Sequence, residues 1–357
     1  MSEAEVICEQ RGVAGFITLN RPAALNALTH GMVRAIAAAL DGWEHDPAID
    51  RVVIAGAGER AFCAGGDVRA LYAQGKAGDH DGQMRFWRDE YRLNHRIQTY
   101  PKPFVALIDG IVMGGGVGVS LHGSYRVAGE RFLFAMPEAS IGFFPDVGAS
   151  TFLARLPGRL GLWAGLTGGR IKAGDACALG LADAYVPACS WAGLADALAA
   201  PGDAAALVSS LAAAPPPAAL PDECAVIDRC FSAGSLTEML ARLDRVAATG
   251  SAFAARAAAA MRKNAPLSMA IFLRQMREAP NLDFAATMDM EYRIVSRICR
   301  AQDFYEGVRA LIVDKDHAPQ WRPASLAEVD AGAVARYFAP IAGAELGLAP
   351  GAGGTAA

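Results

Sequence analysis

Two acidic residues, Glu138 and Asp146, stand among the apolar and small residues of positions 136–146. Fully extended, the eight steps between them would span about 26 Å, but Gly142 and Pro145 favour a turn that lets both side chains approach one site. A carboxyl among phenylalanines loses hydration, which raises its pKa toward the neutral range that a general base or nucleophile requires. The pair predicts carboxylate chemistry, with helix capping or a buried ion pair as the alternative.

Two glycine-rich turns are the second chemical feature of the sequence. Residues 113–118, MGGGVG, follow an apolar strand and open an apolar helix, and residues 64–67, AGGD, precede another helix with Asp67 as its predicted N-cap. Glycines leave the amides of a helix N-terminus uncovered, which makes a place for negative charge. If the turns face each other, their amides can form an oxyanion hole, each donor lowering the barrier by about 3–4 kcal/mol. Close packing of helix on sheet is the alternative.

Strands and helices alternate around these turns and must position them. Apolar runs predict strands at residues 5–9, 15–20, 51–55 and 104–108. Helical spacing of apolar residues predicts helices at residues 30–44 and 83–99, and a long helical pattern at residues 284–312 that can break near Asp303. Ser235 and Glu238 form a predicted capping box. The pattern predicts an α/β fold.

Composition divides the chain into four stretches. Residues 1–195 carry the alternating strands and helices and hold the predicted site, whereas residues 196–222 are rich in alanine and proline and predict a linker or irregular connection. Residues 223–342 are predicted to be mainly helical. Residues 343–357 cannot bury enough apolar surface to order themselves, which predicts a disordered tail.

Charge and composition argue against several partners and compartments. A net charge of −4 and a pI near 5.9 give no basic footprint for a nucleic acid or an anionic membrane. The seven cysteines are scattered without a C-x-x-C pair, which predicts reduced, structural thiols. The first residues lack a basic start and an apolar core, so no signal peptide is expected. We expect a bacterial-type cytoplasmic protein, with a mature organelle matrix protein as the alternative.

Other catalytic motifs are incomplete. Residues 118–123 miss the G-x-S-x-G pattern of serine hydrolases by one position. Residues 56–61 match G-x-G-x-x-A, but the helix that a dinucleotide site needs does not follow at once. The six histidines are isolated, and His122 is predicted to be a buried structural residue. No metal is expected, because no metal-ligand spacing is present.

Three motifs together resemble the crotonase (enoyl-CoA hydratase/isomerase) superfamily. They are residues 61–67 (AFCAGGD), residues 113–118 (MGGGVG) and the pair Pro137-Glu138. The resemblance implies a spiral of ββα units with a C-terminal helical region, and a CoA thioester as the substrate. It also implies an oxyanion hole made by the backbone amides of Gly66 and Gly115.

One exchange of residues favours hydrolysis over hydration. Family members that hydrate a C=C bond resemble one another in carrying a glutamate two residues after the glycine triplet, where this chain has Gly118. The chain instead has Asp146, where hydratases usually have glycine. With residues 86–91 (FWRDEY) and 303–310 (DFYEGVRA), the chain resembles the branch that hydrolyses short-chain acyl-CoA thioesters. The implied substrate is 3-hydroxyisobutyryl-CoA, an intermediate of valine breakdown.

The resemblance implies a role for each matching residue. Glu138 attacks the thioester carbonyl or activates water, and Asp146 orients the water or the substrate hydroxyl. Glu90 and Gly115 contact the substrate. The residues implied to line the CoA groove are Asn26, Ala27, Leu28, Ala64, Asp67 and Val68.

Two other functions stay open at this point. One is an enoyl-CoA hydratase or isomerase with a reassigned acid, and the other is a non-catalytic binding protein with the crotonase fold, such as an RNA-binding relative. No cofactor is expected, because CoA is part of the substrate. A homo-oligomer is expected from the resemblance, since members of the superfamily commonly form trimers.

Overall fold

The computed structural model describes residues 4–348. The strands are β1 Val6–Arg11, β2 Ala14–Leu19, β3 Arg51–Gly56, β4 Ala61–Cys63, β5 Phe104–Ile108, β6 Ile111–Met113, β7 Tyr125–Ala128, β8 Leu133–Ala135, β9 Ile171–Lys172 and β10 Ala184–Tyr185. The helices are α1 His30–Glu44, α2 Val68–Lys76, α3 His80–Gln98, α4 Gly115–Gly118, α5 Ala149–Leu153, α6 Leu160–Thr167, α7 Ala173–Ala178, α8 Ala188–Ala199, α9 Ala204–Leu211, α10 Cys224–Phe231, α11 Leu236–Ala247, α12 Ala252–Lys263, α13 Pro266–Glu278, α14 Phe284–Ile298, α15 Gln302–Val308 and α16 Ala331–Phe338. The predicted strands and helices are confirmed to within a few residues at their ends.

The described residues form two compact units, each assembled from separated stretches of chain. Unit 1 contains the residues up to Asp67, Arg96–Met136 and Arg170–Cys224. Unit 2 contains Val68–His95, Pro137–Gly169 and the residues from Ala225 onward. The linear domain division predicted from composition stays a prediction.

Unit 1 is built on two sheets. The larger has the strand order β1-β2-β3-β5-β7-β10 and the smaller has the order β4-β6-β8-β9. Strands β1 and β2 are antiparallel, with Val6 opposite Leu19, and the larger sheet then continues with parallel strands. Each of the pairs β3/β4, β5/β6 and β7/β8 gives one strand to each sheet, so the chain repeats a ββα unit as it winds.

The core of unit 1 explains why its central strands are continuous apolar runs. Every residue of β5 is buried, as parallel strands with both faces covered require. Leu198 of α8 and Val208 of α9 pack into the same cluster as Val53 and Val105. Residues 196–222 are therefore not irregular throughout, because α9 lies inside them and contributes to the core. Its alanine content was misleading, since alanine is also the strongest helix former.

A buried arginine also connects this region to the sheet. Arg51 is only 2% exposed, and its guanidinium donates to the carbonyls of Leu198, Ala200 and Gly202. Helix ends leave such carbonyls unsatisfied, and an arginine fork supplies several donors at once. The end of α8 is thus held against β3.

Unit 2 is mainly helical, as predicted for the C-terminal region. Ser235 caps α11 by accepting from the amide of Glu238 at 3.2 Å. The glutamate carboxylate instead accepts from Arg242 and Arg245, which corrects the expected reciprocal half of the capping box. The long helical pattern ends at Ile298 and resumes at α15, so the predicted break lies just before Asp303.

The predicted disordered tail is partly wrong. Residues 349–357 lie outside the described residues, but residues 343–348 make specific contacts. The Glu345 carboxylate pairs with Arg293 at 3.0 Å, the amide of Leu348 donates to Asp289 at 3.1 Å, and Leu346 is 2% exposed. Glu345 and Leu346, which stand among small residues, are thus enough to hold residues 343–348 in place.

Candidate active site

The two glycine turns of unit 1 follow neighbouring parallel strands. Strand β4 leads into residues 64–67, and β6 leads into Gly114 and α4. Because β4 and β6 pair in parallel, the turns that follow them emerge at the same edge of the sheet. A Cβ built on Gly65 would lie 3.5 Å from the Met113 carbonyl and 3.8 Å from the Gly115 nitrogen. The structure therefore brings the two turns together.

The amide of Gly66 points away from the chain segment with which it pairs. The Leu28 amide donates to the Gly65 carbonyl at 2.8 Å, and the Asp67 amide donates to the Leu28 carbonyl at 2.9 Å. These bonds make Leu28 and Gly66 a parallel bridge. In a parallel ladder the bridged residue directs its own N–H to the opposite side. The Gly66 N–H is therefore directed away from Leu28.

The amide of Gly115 begins α4, where no carbonyl one turn earlier can accept it. Gly114 precedes it with φ 47° and ψ −126°, a conformation that side chains disfavour. Gly116 must also lack a side chain, because a Cβ there would lie 2.3 Å from the Cys63 carbonyl. The glycine triplet thus permits close packing and leaves the Gly115 amide without an acceptor inside the helix, so the two interpretations of this motif are compatible.

The residues predicted to line the CoA groove fall into two groups. Asn26 and Leu28 are fully buried. The Asn26 side chain donates to the carbonyls of Ala57 and Ala61 and accepts from the Arg21 amide. Because these hydrogen bonds occupy its side chain, any contact of Asn26 with CoA would come from its backbone.

The other predicted groove residues are half-buried: Ala27, Ala64, Asp67 and Val68. Arg21 connects two of them, donating to the Ala27 carbonyl at 2.6 Å and to the Asp67 carboxylate at 3.1 Å. Val68 is the first residue of α2. Sequence reasoning missed Arg21, whose place before a proline looked only like a chain-stop signal.

The first predicted carboxylate, Glu138, begins a short 3-10 helix, Glu138–Ile141, in unit 2. Gly142 ends this helix with φ +69°, and the Phe143 amide returns to the Glu138 carbonyl at 3.0 Å. Helix α15 packs directly on the turn, because a Cβ on Gly142 would lie 2.0 Å from the Asp303 carbonyl. Gly142 therefore produces the predicted reversal of the chain, and it also permits close packing.

Three buried carboxyls, Glu90, Glu138 and Asp146, influence one another. They are 2%, 7% and 4% exposed, respectively. Burial, followed by the charge of Asp146, raises the pKa of Glu138 and of Glu90 well above the usual value. Burial, followed by the charge of Glu291, raises the pKa of Asp146 to about 8. Such groups are not all ionised near neutral pH, so they can act as acids and bases there.

Aromatic rings exclude water from the turn that joins the carboxylates. Phe143 stacks on Trp87 with ring centroids 5.8 Å apart, and it contacts Phe144 at 4.9 Å and Phe304 at 5.7 Å. The desolvation expected from the phenylalanines is confirmed. The same rings explain two matching motifs, because Trp87 and Phe304 come from residues 86–91 and 303–310.

Three buried carboxyl oxygens in unit 2 have no hydrogen-bond partner within residues 4–348: Oε1 of Glu90, Oε2 of Glu138 and Oδ2 of Asp303. Buried polar atoms are almost always satisfied by protein, water or a ligand. The oxygens of Glu90 and Glu138 can therefore each form a hydrogen bond with a hydroxyl or a water molecule.

Sequence reasoning missed two neighbours of Asp146. The Tyr91 hydroxyl donates to Oδ2 of Asp146 at 2.7 Å. Glu291 of α14 accepts from the Gly148 amide at 2.7 Å and from the Ser150 hydroxyl at 2.6 Å. The position of Tyr91 next to Glu90 in the sequence could have indicated that it belongs to the site. Glu291 lies 145 positions after Asp146, and nothing local connects it to the site.

Several negative observations concern the described part of the chain. No group of three or more His, Cys, Asp or Glu side chains is arranged to hold a metal ion there, and none of its helices has the length and apolar character needed to span a bilayer. None of the seven cysteines forms a disulfide bond. The Gly56–Ala61 segment runs into strand β4 and not into a helix, which removes the dinucleotide interpretation.

A family model described as enoyl-CoA hydratase/isomerase matches residues 14–338. The chain therefore belongs to the enoyl-CoA hydratase/isomerase family, and the predicted crotonase-type spiral is confirmed. It is similar over nearly its whole length to curated proteins named 3-hydroxyisobutyryl-CoA hydrolase, mitochondrial. The Danio rerio protein is 45% identical over 348 residues, covering 95% of this chain and 90% of the relative. The Homo sapiens protein is 41% identical over 352 residues, covering 96% and 90%.

Two solved structures share the fold and carry other names. One is a carnitinyl-CoA dehydratase from Mycobacterium thermoresistibile, with a TM-score of 0.91 and 42% identity over 97% of this chain and 98% of that one. The other is an enoyl-CoA hydratase from Rhodobacter sphaeroides, with a TM-score of 0.86 and 45% identity over 96% and 99%.

Proposed function

We propose that the chain hydrolyses a short-chain acyl-CoA thioester, 3-hydroxyisobutyryl-CoA, to 3-hydroxyisobutyrate and CoA. The single observation that carries the mechanism is the pair of buried carboxyls, Glu138 and Asp146, each with a raised pKa. The names of the similar curated proteins support the choice of substrate. Gly118 further supports hydrolysis, because it leaves no carboxyl where a hydratase would keep its second acid.

The proposed reaction adds water to the thioester carbonyl and expels CoA. Glu138 either takes a proton from water as the water oxygen attacks, or attacks the carbonyl itself to form an anhydride that water then opens. The amides of Gly66 and Gly115 stabilise the oxyanion that either attack creates. The C–S bond then breaks and the thiolate leaves with little acid help.

Asp146 and Glu90 are assigned to substrate positioning. A substrate hydroxyl can donate to a buried carboxylate, and Glu90 has an oxygen without another partner within the described residues. Asp146 orients the water or the hydroxyl beside Glu138. The remote CoA group contributes binding energy that holds the acyl part in place. The groove for CoA is proposed to use Ala64, Asp67 and Val68, and the backbone of residues 26–28.

Free-thiol release from 3-hydroxyisobutyryl-CoA tests this function. Glu138→Gln and Asp146→Ala should each reduce kcat by about a hundredfold or more, in the range typical of lost acid–base catalysis. Glu9→Gln is the matched control, because Glu9 is an exposed residue of strand β1. Full activity in both site variants would refute the mechanism.

A single turnover in ¹⁸O-labelled water distinguishes the two roles of Glu138. Label that appears in the Glu138 carboxyl indicates an anhydride intermediate, because water then opens the anhydride at the protein. Label found only in the product acid indicates that water adds to the substrate's acyl carbon and never to the Glu138 carboxyl, as direct attack requires. Mass spectrometry of the peptide that contains residues 136–146 makes this measurement.

A second candidate is the dehydration or hydration of a CoA thioester, which the names of the two solved structures favour. It would require another group to replace the acid that is missing at Gly118. Conversion of crotonyl-CoA without thiol release would support this candidate.

The compartment and assembly are proposals of the same kind. The curated relatives are named as mitochondrial, and seven cysteines without a disulfide bond suit either a cytoplasm or an organelle matrix. We propose that the protein needs no cofactor and forms a homo-oligomer. Dialysis against a chelator before assay and light scattering after gel filtration test these two points.

A further inference from the structure

Asp146 stands on a turn whose backbone is strained. The next residue, Val147, has φ +55°, and Gly148 follows with φ +80°. A β-branched residue rarely adopts a positive φ, and Val147 is fully buried as well. Strain of this kind persists only where the surroundings hold the backbone in place, and it is typical of functional sites.

Two side chains hold this turn, one on each side of Asp146. Gln275 of α13 donates to the Pro145 carbonyl at 2.8 Å. Glu291 of α14 accepts from the Gly148 amide at 2.7 Å. Gln275 also donates to Glu291 at 3.1 Å, so the two side chains that hold the turn are hydrogen-bonded to each other. The backbone on both sides of Asp146 is therefore fixed by one connected group of side chains.

A third side chain fixes the carboxylate itself. The Tyr91 hydroxyl donates to Oδ2 of Asp146 at 2.7 Å, and Tyr91 is fully buried in α3. Its ring packs edge-on against Tyr292, with centroids 6.3 Å apart and an interplanar angle of 75°. The tyrosine therefore has little freedom to move away from Asp146.

We propose that Tyr91 and Glu291 are positioning residues for Asp146. Tyr91 orients the carboxylate, and Glu291 holds the strained turn. Burial raises the pKa of Glu291 itself to about 7, so its negative charge develops near neutral pH. This role rests on the proposed function, because it matters for catalysis only if Asp146 acts in thioester hydrolysis.

The two residues act on the ionisation of Asp146 in opposite directions. Hydrogen bonding from Tyr91 favours the ionised carboxylate and lowers its pKa, whereas the charge of Glu291 disfavours it and raises the pKa. The other titratable groups near Asp146 are Glu90 of α3 and Glu138 of the 3-10 helix, and both lie within electrostatic range of it.

The test compares Tyr91→Phe, Glu291→Gln and a control, Tyr100→Phe. The Tyr100→Phe variant also loses one buried hydroxyl bond, to the Leu40 carbonyl at 2.8 Å, but Tyr100 belongs to unit 1 whereas Asp146 belongs to unit 2. The ionisation of Asp146 is followed by NMR of ¹³C-labelled aspartate carboxyls, with Asp146→Asn used to assign the resonance. The pH profile of kcat for thiol release is measured in parallel.

Tyr91→Phe should move the Asp146 titration to higher pH by about one pH unit, the size expected for a lost hydrogen bond to a charged group. It should lower kcat by about tenfold to a hundredfold and leave KM nearly unchanged. Glu291→Gln should move the titration to lower pH, and Tyr100→Phe should move neither the titration nor kcat.

Shifts in the same direction, or an unmoved titration in a folded Tyr91→Phe variant, would overturn the proposal. If Glu291→Gln fails to fold, the Tyr91→Phe result decides alone. The titration needs no turnover. The wild-type protein could release no thiol while the two variants still shift the Asp146 titration in opposite directions. That result would contradict the proposed function, but the coupling of the three side chains would stand.

Discussion

Gly142 provides a quantitative test of how the Glu138 turn is built. Replacement by alanine adds two penalties to the folded state. The left-handed backbone, with φ +69°, costs about 1–2 kcal/mol for a residue with a side chain. The added Cβ would lie 2.0 Å from the Asp303 carbonyl, so α15 or the turn must shift, which costs about 1–3 kcal/mol more. We expect Gly142→Ala to lower the free energy of unfolding by about 2–5 kcal/mol.

Gly78→Ala is the matched control in the same unit. Gly78 also has a positive φ, +81°, but a Cβ there would meet no atom within 4 Å. Both variants lose the same flexibility in the unfolded chain, so the difference between them isolates the clash with α15. Urea unfolding followed by tryptophan fluorescence should show a difference of about 1–3 kcal/mol. Thiol release should fall in Gly142→Ala only, and equal stability and equal activity in the two variants would refute the described packing.

Three further predictions follow from other parts of the structure. Buried carboxyls with a raised pKa bind their protons more tightly in the folded state, so the free energy of unfolding should fall as pH rises from about 4 to about 8. Asp146→Asn should make this fall with pH smaller in urea titrations, and it should abolish thiol release. An unchanged dependence of the unfolding free energy on pH would contradict the assignment. Arg51→Met should destabilise the chain by about 1–3 kcal/mol because three carbonyls lose their donor, whereas a neutral result in thermal unfolding would show that water replaces it. Glu345→Ala breaks the pair with Arg293 and should speed proteolysis near residue 345, and unchanged cleavage would mean that Leu346 holds the segment alone.

Local patterns in the sequence predicted much of the fold. Helix α1 and strand β5 have the predicted bounds, because their apolar periodicity and their stop signals are strong. The α9 helix was missed, since alanine and proline in residues 196–222 look like a linker until the burial of Val208 is known. The order of residues 343–348 was missed for a similar reason, because it depends on distant partners such as Arg293 and Asp289.

The site was predictable where it is made by one segment. Glu138, Gly142 and Asp146 lie close in sequence, so a turn that joins the carboxylates could be expected from residue types alone. The residues of other helices that lie beside Asp146 could not be expected in the same way. Tyr91 and Glu291 come from helices α3 and α14, and nothing local in the sequence states that these helices meet beside residue 146.

Asn26 shows how a predicted role can change once contacts are known. The resemblance placed it in the CoA groove, yet its side chain donates to Ala57 and Ala61 from a fully buried position. Its left-handed backbone, with φ 56°, suits asparagine. The residue type at this position is therefore explained by the loop it holds, and only its backbone is left for a ligand.

The measurement that tests the central claim most directly compares two reactions of the purified protein. Thiol release from 3-hydroxyisobutyryl-CoA and loss of the enoyl absorbance of crotonyl-CoA are measured at equal protein concentration, with wild type and Glu138→Gln. Hydrolysis by the carboxylate pair predicts rapid thiol release that depends on Glu138 and no hydration of crotonyl-CoA. Hydration of crotonyl-CoA without thiol release from the hydroxyacyl thioester would contradict it.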